Sequence, residues 1–304
     1  MLVVNKQELL KHYHIKPKSI QKLGSATIIT EALHNKKYVI KSNHRKADSF
    51  DYLKSRNFNN FPQVYSTIND EVELFDYIED SKIPIEQKLE DTIYLASILH
   101  TKTTFYKEVE EDYIKKIYEG VSEKLEYIYH FYNDIQNMIE LEVYMSPENY
   151  ALIRNISLIY LAVNQSKKYI DKWYDIIKDT HKLRFAYVHG NLDHNHLLES
   201  DNLYLISWDN SRIDLPIYDL EIFYRKNYSN ISLQEILNIY ESKYPLKKEE
   251  YYLLLALLLI PEKIDLEKRE YQRVKQVTNL ILYIDKTLSF LENNAKETNH
   301  HTEH

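Results

Sequence analysis

The sequence predicts an α+β protein of two lobes: a small, β-rich N-terminal unit and a large, mainly helical remainder. Up to about residue 80 apolar residues come in short stretches separated by polar breaks, which is the pattern of strands and hairpins. After Asp80 they recur in steps of three and four, which places them along one side of long helices. The 304 residues also contain only three glycines and no cysteine. That excludes glycine-rich phosphate loops of the Rossmann kind, disulfides and Cys-ligated metal centres. The 28 tyrosines accompany an abundance of Lys, Asn and Ile, a compositional bias and not a chemical signal.

Taken in order, Ile20 to Ser42 predicts a β-hairpin broken at His34 to Lys37, with Tyr38-Val39-Ile40-Lys41 as its second strand. Ala47 to Arg56 predicts a short helix with Phe50 and Leu53 inward, and Phe61-Pro62 leads into strands at Val64 to Thr67 and Val72 to Ile78. The stripe from Ile114 through Val121, Leu125 and Ile128 to Ile139 predicts a helix. Gly120 lies inside it and, costing about 1 kcal/mol relative to Ala, marks a kink or break. Ser146-Pro147-Glu148 opens the next helix with Ser as N-cap, and its stripe continues from Leu152 to Ile177.

Periodicity then shortens. Phe185 to Val188 reads as a buried strand, and His196 to Leu198 with Tyr204 to Ile206 as a hairpin around Glu199 to Asn202. Beyond Pro216 the chain returns to helices, one opened by the capping box Ser232-Leu233-Gln234-Glu235. Residues 1–80 are thus an N-terminal lobe, 81–292 a helical lobe and 293–304 a polar, disordered tail.

The balance of 39 Lys and Arg against 46 Asp and Glu gives a net charge of −7, which disfavours a general nucleic-acid binder. The longest apolar run, Tyr251 to Ile260, is about half a membrane span, and the opening MLVVNKQELLKHY lacks the apolar core of a secretory signal. A cytoplasmic protein without a membrane or nucleic-acid partner is expected.

The segment that carries chemistry is Ala186-Tyr-Val-His-Gly-Asn-Leu-Asp-His-Asn-His-Leu-Leu198, followed by Leu205-Ile-Ser-Trp-Asp209 and by Asp214-Leu-Pro-Ile-Tyr-Asp-Leu220. It resembles the catalytic core of aminoglycoside and choline kinases, a branch of the protein-kinase-like fold. Their catalytic loop reads H-G-D-x-x-x-x-N, their metal-binding strand I-D-W-E, and the entry to the next helix D-P-x-Y-D-L. Tyr38 to Lys41 resembles the strand bearing the phosphate-binding lysine, Phe75 to Glu79 the hinge between lobes, and Leu95 to His100 the L-A-x-L-H helix. The apolar helix ending in Ile260-Pro261-Glu262-Lys263 is closer still to CotS-type and YutH-type spore-coat proteins.

The resemblance implies a bilobal kinase-like fold in which Lys41 and Gly24 face phosphate and Asp76, Tyr77 and Ile78 face the nucleotide base. It makes His189 and Asp219 braces of the catalytic loop. It also exposes three departures. Where the family has its catalytic Asp, magnesium-binding Asn and strand Asp, this chain has Asn191, His196 and Ser207. An amide cannot take a proton, a loss worth typically about 10² to 10⁴ in rate, and a serine hydroxyl is no charged metal ligand. The helix glutamate that usually pairs with the lysine is missing, and 47–56 offers only Asp48 and Asp51.

The leading expectation is therefore a catalytically inactive relative, a pseudokinase, that needs no cofactor. It would bind or scaffold an unknown protein or small-molecule partner, in a spore-coat setting by family implication. The alternative is an active small-molecule phosphotransferase using ATP and magnesium through the displaced carboxylates Asp193 or Asp209. In that reading Asp209 reaches the metal because it shares a strand face with Ser207. A third reading is a metal-independent nucleotide sensor acting through Lys41 and the hinge. A zinc site at His189, Asp193, His194 and His196 is a further possibility, on ligand type and not on spacing.

Overall fold

The computed structural model describes residues 15–23, 26–31, 35–42, 49–68, 72–180 and 182–300. In the N-terminal lobe five strands, β1 (Pro17–Leu23), β2 (Ala26–Glu31), β3 (Lys37–Ser42), β4 (Val64–Ile68) and β5 (Val72–Asp76), form one sheet in the order β1-β2-β3-β5-β4. All neighbours are antiparallel. The expected hairpin is thus three strands, because β1 pairs with β2. Residues 16–22 are exposed throughout, so β1 lacks the apolar alternation that would betray it.

Alternation sorts β2, β3 and β5 into two faces. Ile29, Ile40 and Leu74 are buried on one. On the other, Ile28, Val39 and Phe75 align across the three strands and face the helical lobe. The short helix α1 (Ser49–Ser55) buries Phe50 and Leu53.

The helical lobe contains α2 (Ile85–Thr103), α3 (Glu111–Glu140), α4 (Pro147–Ile177), α5 (Ile217–Asn227), α6 (Leu233–Glu241), α7 (Lys248–Leu258) and α8 (Glu270–His300). Helix α4 packs against α3, α7 and α8. The apolar stripes of α3 and α4 are the buried ones, and the capping box at Ser232 and Glu235 closes the start of α6.

Three expectations change here. Helix α3 runs unbroken through Gly120, where a Cβ would meet nothing within 4 Å; the helix absorbs the glycine's propensity cost because its buried stripe holds it. Ser146 sits at the N-cap of α4 but makes no side-chain cap hydrogen bond. Helix α8 extends to His300, past residue 293 where a disordered tail was expected.

Between the helices lie the short strands that carry the site. Strand β7 (Lys182–Val188) pairs with β6 (Phe105–Glu108) on one side and β10 (Arg212–Asp214) on the other, and β8 (Leu197–Glu199) pairs with β9 (Leu203–Leu205). No helix among the described residues is long and apolar enough to cross a membrane.

Phe50, Phe58 and Phe61 of the N-terminal lobe belong to the same buried cluster as the helical lobe. Phe50 stacks on Phe61 at 4.3 Å, and both rings meet Trp208 edge-on. One core therefore runs through both lobes.

Candidate functional site

Strand β7 delivers His189 and Gly190 at its end, and a buried network fixes the loop that follows. The carboxylate of Asp219, in the first turn of α5, accepts the backbone N–H groups of His189 at 2.7 Å and Gly190 at 2.8 Å. It also lies 3.1 Å from His100 Nε2, whose Nδ1 is 2.7 Å from the Tyr240 hydroxyl. Burial alone would raise the pKa of Asp219, but the His100 hydrogen bond, the nearby imidazoles and the His189 N–H outweigh it and hold the carboxyl below its ordinary value.

His189 is fully buried, which pushes its imidazole down to about 4 against the opposing pull of Asp219 and the Ile206 carbonyl. The ring is neutral at pH 7, and its Nε2–H donates to Ile206 O at 2.8 Å. Gly190 adopts φ +73°, and a Cβ there would stand 2.2 Å from the Asn210 carbonyl oxygen. Left-handed backbone and close approach both require glycine at this turn.

The loop side chains are engaged locally. Lys226 of α5 donates to Asn191 Oδ1 at 2.7 Å and lies 3.8 Å from Asp193 Oδ2. The Asn191 carbonyl oxygen is 2.8 Å from His196 Nδ1. Asp193 Oδ1 accepts the Asn195 backbone N–H at 3.1 Å, capping a 3₁₀ turn. His194 Nδ1 contacts Asn227. The imidazoles of His189, His194 and His196 thus turn to different partners, and among the described residues no group of three or more metal-ligating side chains gathers. The zinc reading has no geometry to rest on.

After β9 the chain makes a sharp corner. Ser207 takes a left-handed conformation, φ 67° and ψ 50°, and 208–210 form a 3₁₀ turn. Asp209 is therefore not on a strand, and the expectation that it shares a strand face with Ser207 fails. The turn nevertheless swings its carboxylate toward the N-terminal lobe, where it forms an ion pair with Lys41. The helix candidate for pairing with Lys41, Asp51, is exposed and lies beside Lys54, because α1 turns that edge to solvent. Asp48 and Gly24 lie outside the described residues.

Lys41 and Asp209 both line an interlobe cavity of about 430 Å³. Its roof is Ile28, Val39 and Phe75; Leu198 and Ile206 form the facing wall, and Asp76, Tyr77 and Ile78 line the hinge. Ser207 reaches this cavity, whereas Asn191, Asp193 and His196 are not part of its lining. Asp209 is paired with Lys41, and the Asn191 side chain with Lys226.

Two residues of this site were not legible beforehand. Glu73 is buried at 3% exposure and lines the cavity, opposite Lys41 in the β3–β5 register. Its parity with Phe75 was a signal, but the strand order that brings it to Lys41 was not. Lys226 carried no signal, since nothing in the sequence ties α5 to the loop 35 residues earlier.

No protein-family model matches the sequence, and no curated protein matches it. Solved structures do match. An aminoglycoside phosphotransferase from Alicyclobacillus acidocaldarius superposes with a TM-score of 0.76 at 10% identity, covering 99% of this chain and 98% of that one. A spectinomycin phosphotransferase in complex with AMP gives 0.54 at 16% identity, covering 91% and 96%. A glucosamine kinase gives 0.55 at 8% identity, covering 90% and 75%. The chain has the kinase-like fold of small-molecule phosphotransferases.

Proposed function

We propose that this protein is a non-catalytic member of the kinase-like fold that binds a small molecule in its interlobe cavity. The observation that carries the reading is that cavity: it is open and mostly apolar, yet Lys41, the one lysine among its described lining residues, is already tied to Asp209. The loop next to it supports the same reading. At the position where the family resemblance places a proton-accepting carboxylate stands Asn191, its amide oxygen bonded to Lys226. His196 and Ser207 stand at the metal-binding positions, and His196 faces a backbone carbonyl. A site of this kind retains the walls that hold a ligand and has Asn191, His196 and Ser207 where the family resemblance places its proton acceptor and metal ligands. In the spore-coat setting that the sequence resemblance implies, such a protein acts by binding a partner.

The neighbour with bound AMP makes adenine compounds the first ligands to try. Thermal shift with adenine compounds, in magnesium and in EDTA, is expected to show stabilisation that does not depend on the metal. Phosphate release and transfer to small acceptors are expected to stay at background. Magnesium-dependent turnover abolished by Asp209→Ala would overturn this reading in favour of an active phosphotransferase. Combining Asn191→Asp, His196→Asn and Ser207→Asp asks separately whether the remaining frame can support catalysis.

A further inference from the structure

We infer that the tip of the α3–α4 hairpin is a self-association surface, through which two copies of this chain pair about a two-fold axis. None of its residues lines the interlobe cavity, so the pairing does not depend on what that cavity binds.

Helices α3 and α4 pack side by side and are joined by residues 141–146. The loop leaves Leu141, Val143 and Tyr144 exposed by 86%, 87% and 91%. Met138 near the end of α3, Met145, and Tyr150 in the first turn of α4 are exposed as well. Six large apolar side chains thus stand in water within thirteen residues, whereas the other exposed ones among the described residues come one or two at a time from separate stretches. The tip is also firmly held. The Glu142 carboxylate accepts Asn149 Nδ2 at 2.9 Å and 3.1 Å, and Glu148 accepts Arg273 Nε of α8 at 2.9 Å. A frame fixed by its own chain has little freedom left to lose on binding.

Composition and area point to a like partner. Interface cores are enriched in tyrosine and methionine and depleted in charge. From Val143 to Pro147 the chain carries no charge, and the carboxylates just before that stretch, Glu140 and Glu142, accept hydrogen bonds from Gln136 and Asn149 of the same chain. With its polar rim engaged in this way, what the tip leaves unsatisfied is apolar area. Tyr144 and Tyr150 alone open on the order of 300 Å² to water. Met138, Leu141, Val143 and Met145 carry the patch past the few hundred Å² usual on a monomer, toward the ~800 Å² that each partner gives to a standard interface. The counterpart of matching size and chemistry on this molecule's own described surface is the same patch, and a two-fold contact needs only one patch that complements itself.

Sedimentation velocity of the full chain over a concentration series is expected to show a dimer that dissociates with a Kd on the order of 10 μM. Val143→Glu combined with Tyr144→Glu is expected to weaken pairing by about tenfold or more, with the circular dichroism and urea midpoint unchanged because both side chains are exposed. The chain has no cysteine, which gives a second measurement. Leu141→Cys, Val143→Cys and Tyr144→Cys, made singly and oxidised with copper phenanthroline, are expected to yield a disulfide-linked dimer at one or more of the three positions, and Leu282→Cys, exposed on α8, is expected not to. A wild-type chain that sediments as a monomer at a concentration on the order of 100 μM overturns the inference, whatever other partner the tip then proves to have. So does a dimer whose strength the double variant leaves unchanged, or cross-linking no faster at the tip than at Leu282→Cys. Adhesion of a monomer to phosphatidylcholine vesicles, lost in the double variant, overturns it in favour of a lipid surface.

Discussion

The imidazole of His189 is neutral in the folded protein because its charged form would be buried, with a pKa near 4 against an ordinary 6.5. Between those values the unfolded chain binds the extra proton and the native state does not, so stability rises with pH across that window. Falling pH from 6.5 toward 4 is therefore expected to cost stability, by an amount on the order of 3 kcal/mol at most. Below that, Asp219 continues the loss, since its depressed pKa contributes stability that disappears as it protonates. Urea titrations at pH 7, 5.5 and 4.5 measure the slope, and His189→Gln is expected to flatten it; an unchanged slope would assign the acid sensitivity elsewhere. The residue types at 189–219 made this loop recognisable. Their partners were less so: Lys226 on Asn191 and Asp209 on Lys41 are contacts between segments whose approach only the tertiary fold determines.

Among the elements, the long helices were the most readable, since each buries a stripe with an unbroken period. Gly120 was misread as a break because propensity is a weak signal beside thirty residues of consistent packing. In an intact helix with open space around its Cβ, Gly120→Ala is expected to stabilise the protein by about 1 kcal/mol, partly by restricting the unfolded chain. A raised urea midpoint at constant m-value checks this; no gain would mean that α3 is strained there. Strands β6 and β10 passed unnoticed for the opposite reason. They are only four and three residues long and mostly exposed, so they carry no alternation, and it is the buried β7 between them that recruits them into a sheet. The turn at 208–210 is similarly invisible, since Ser207 is an uncommon residue to take positive φ.

For the whole molecule, the change of period near residue 80 was enough to predict two lobes of different architecture. How the lobes meet was not legible, because Glu73 reaches Lys41 only through a sheet order in which β5 inserts between β3 and β4. The lobes are joined by more than a hinge. Trp208 is nearly buried, donates to Leu205 O at 2.7 Å and contacts Phe50, Phe58 and Phe61. Trp208→Ala is expected to cost about 3–5 kcal/mol, read as a lower midpoint in chemical denaturation by circular dichroism. A loss below about 1 kcal/mol would show that this junction contributes little.

The left-handed backbone at Ser207 also bears on which side chains the corner can carry. Among residues with a side chain, aspartate and asparagine tolerate that conformation best, so the corner is better suited to a carboxylate than to the serine it holds. Ser207→Asp is then expected to suit the corner's backbone at least as well as serine does. A carboxylate placed there by Ser207→Asp would line the same cavity as Lys41 and Asp209, so the backbone sets no obstacle to an added charge at that point.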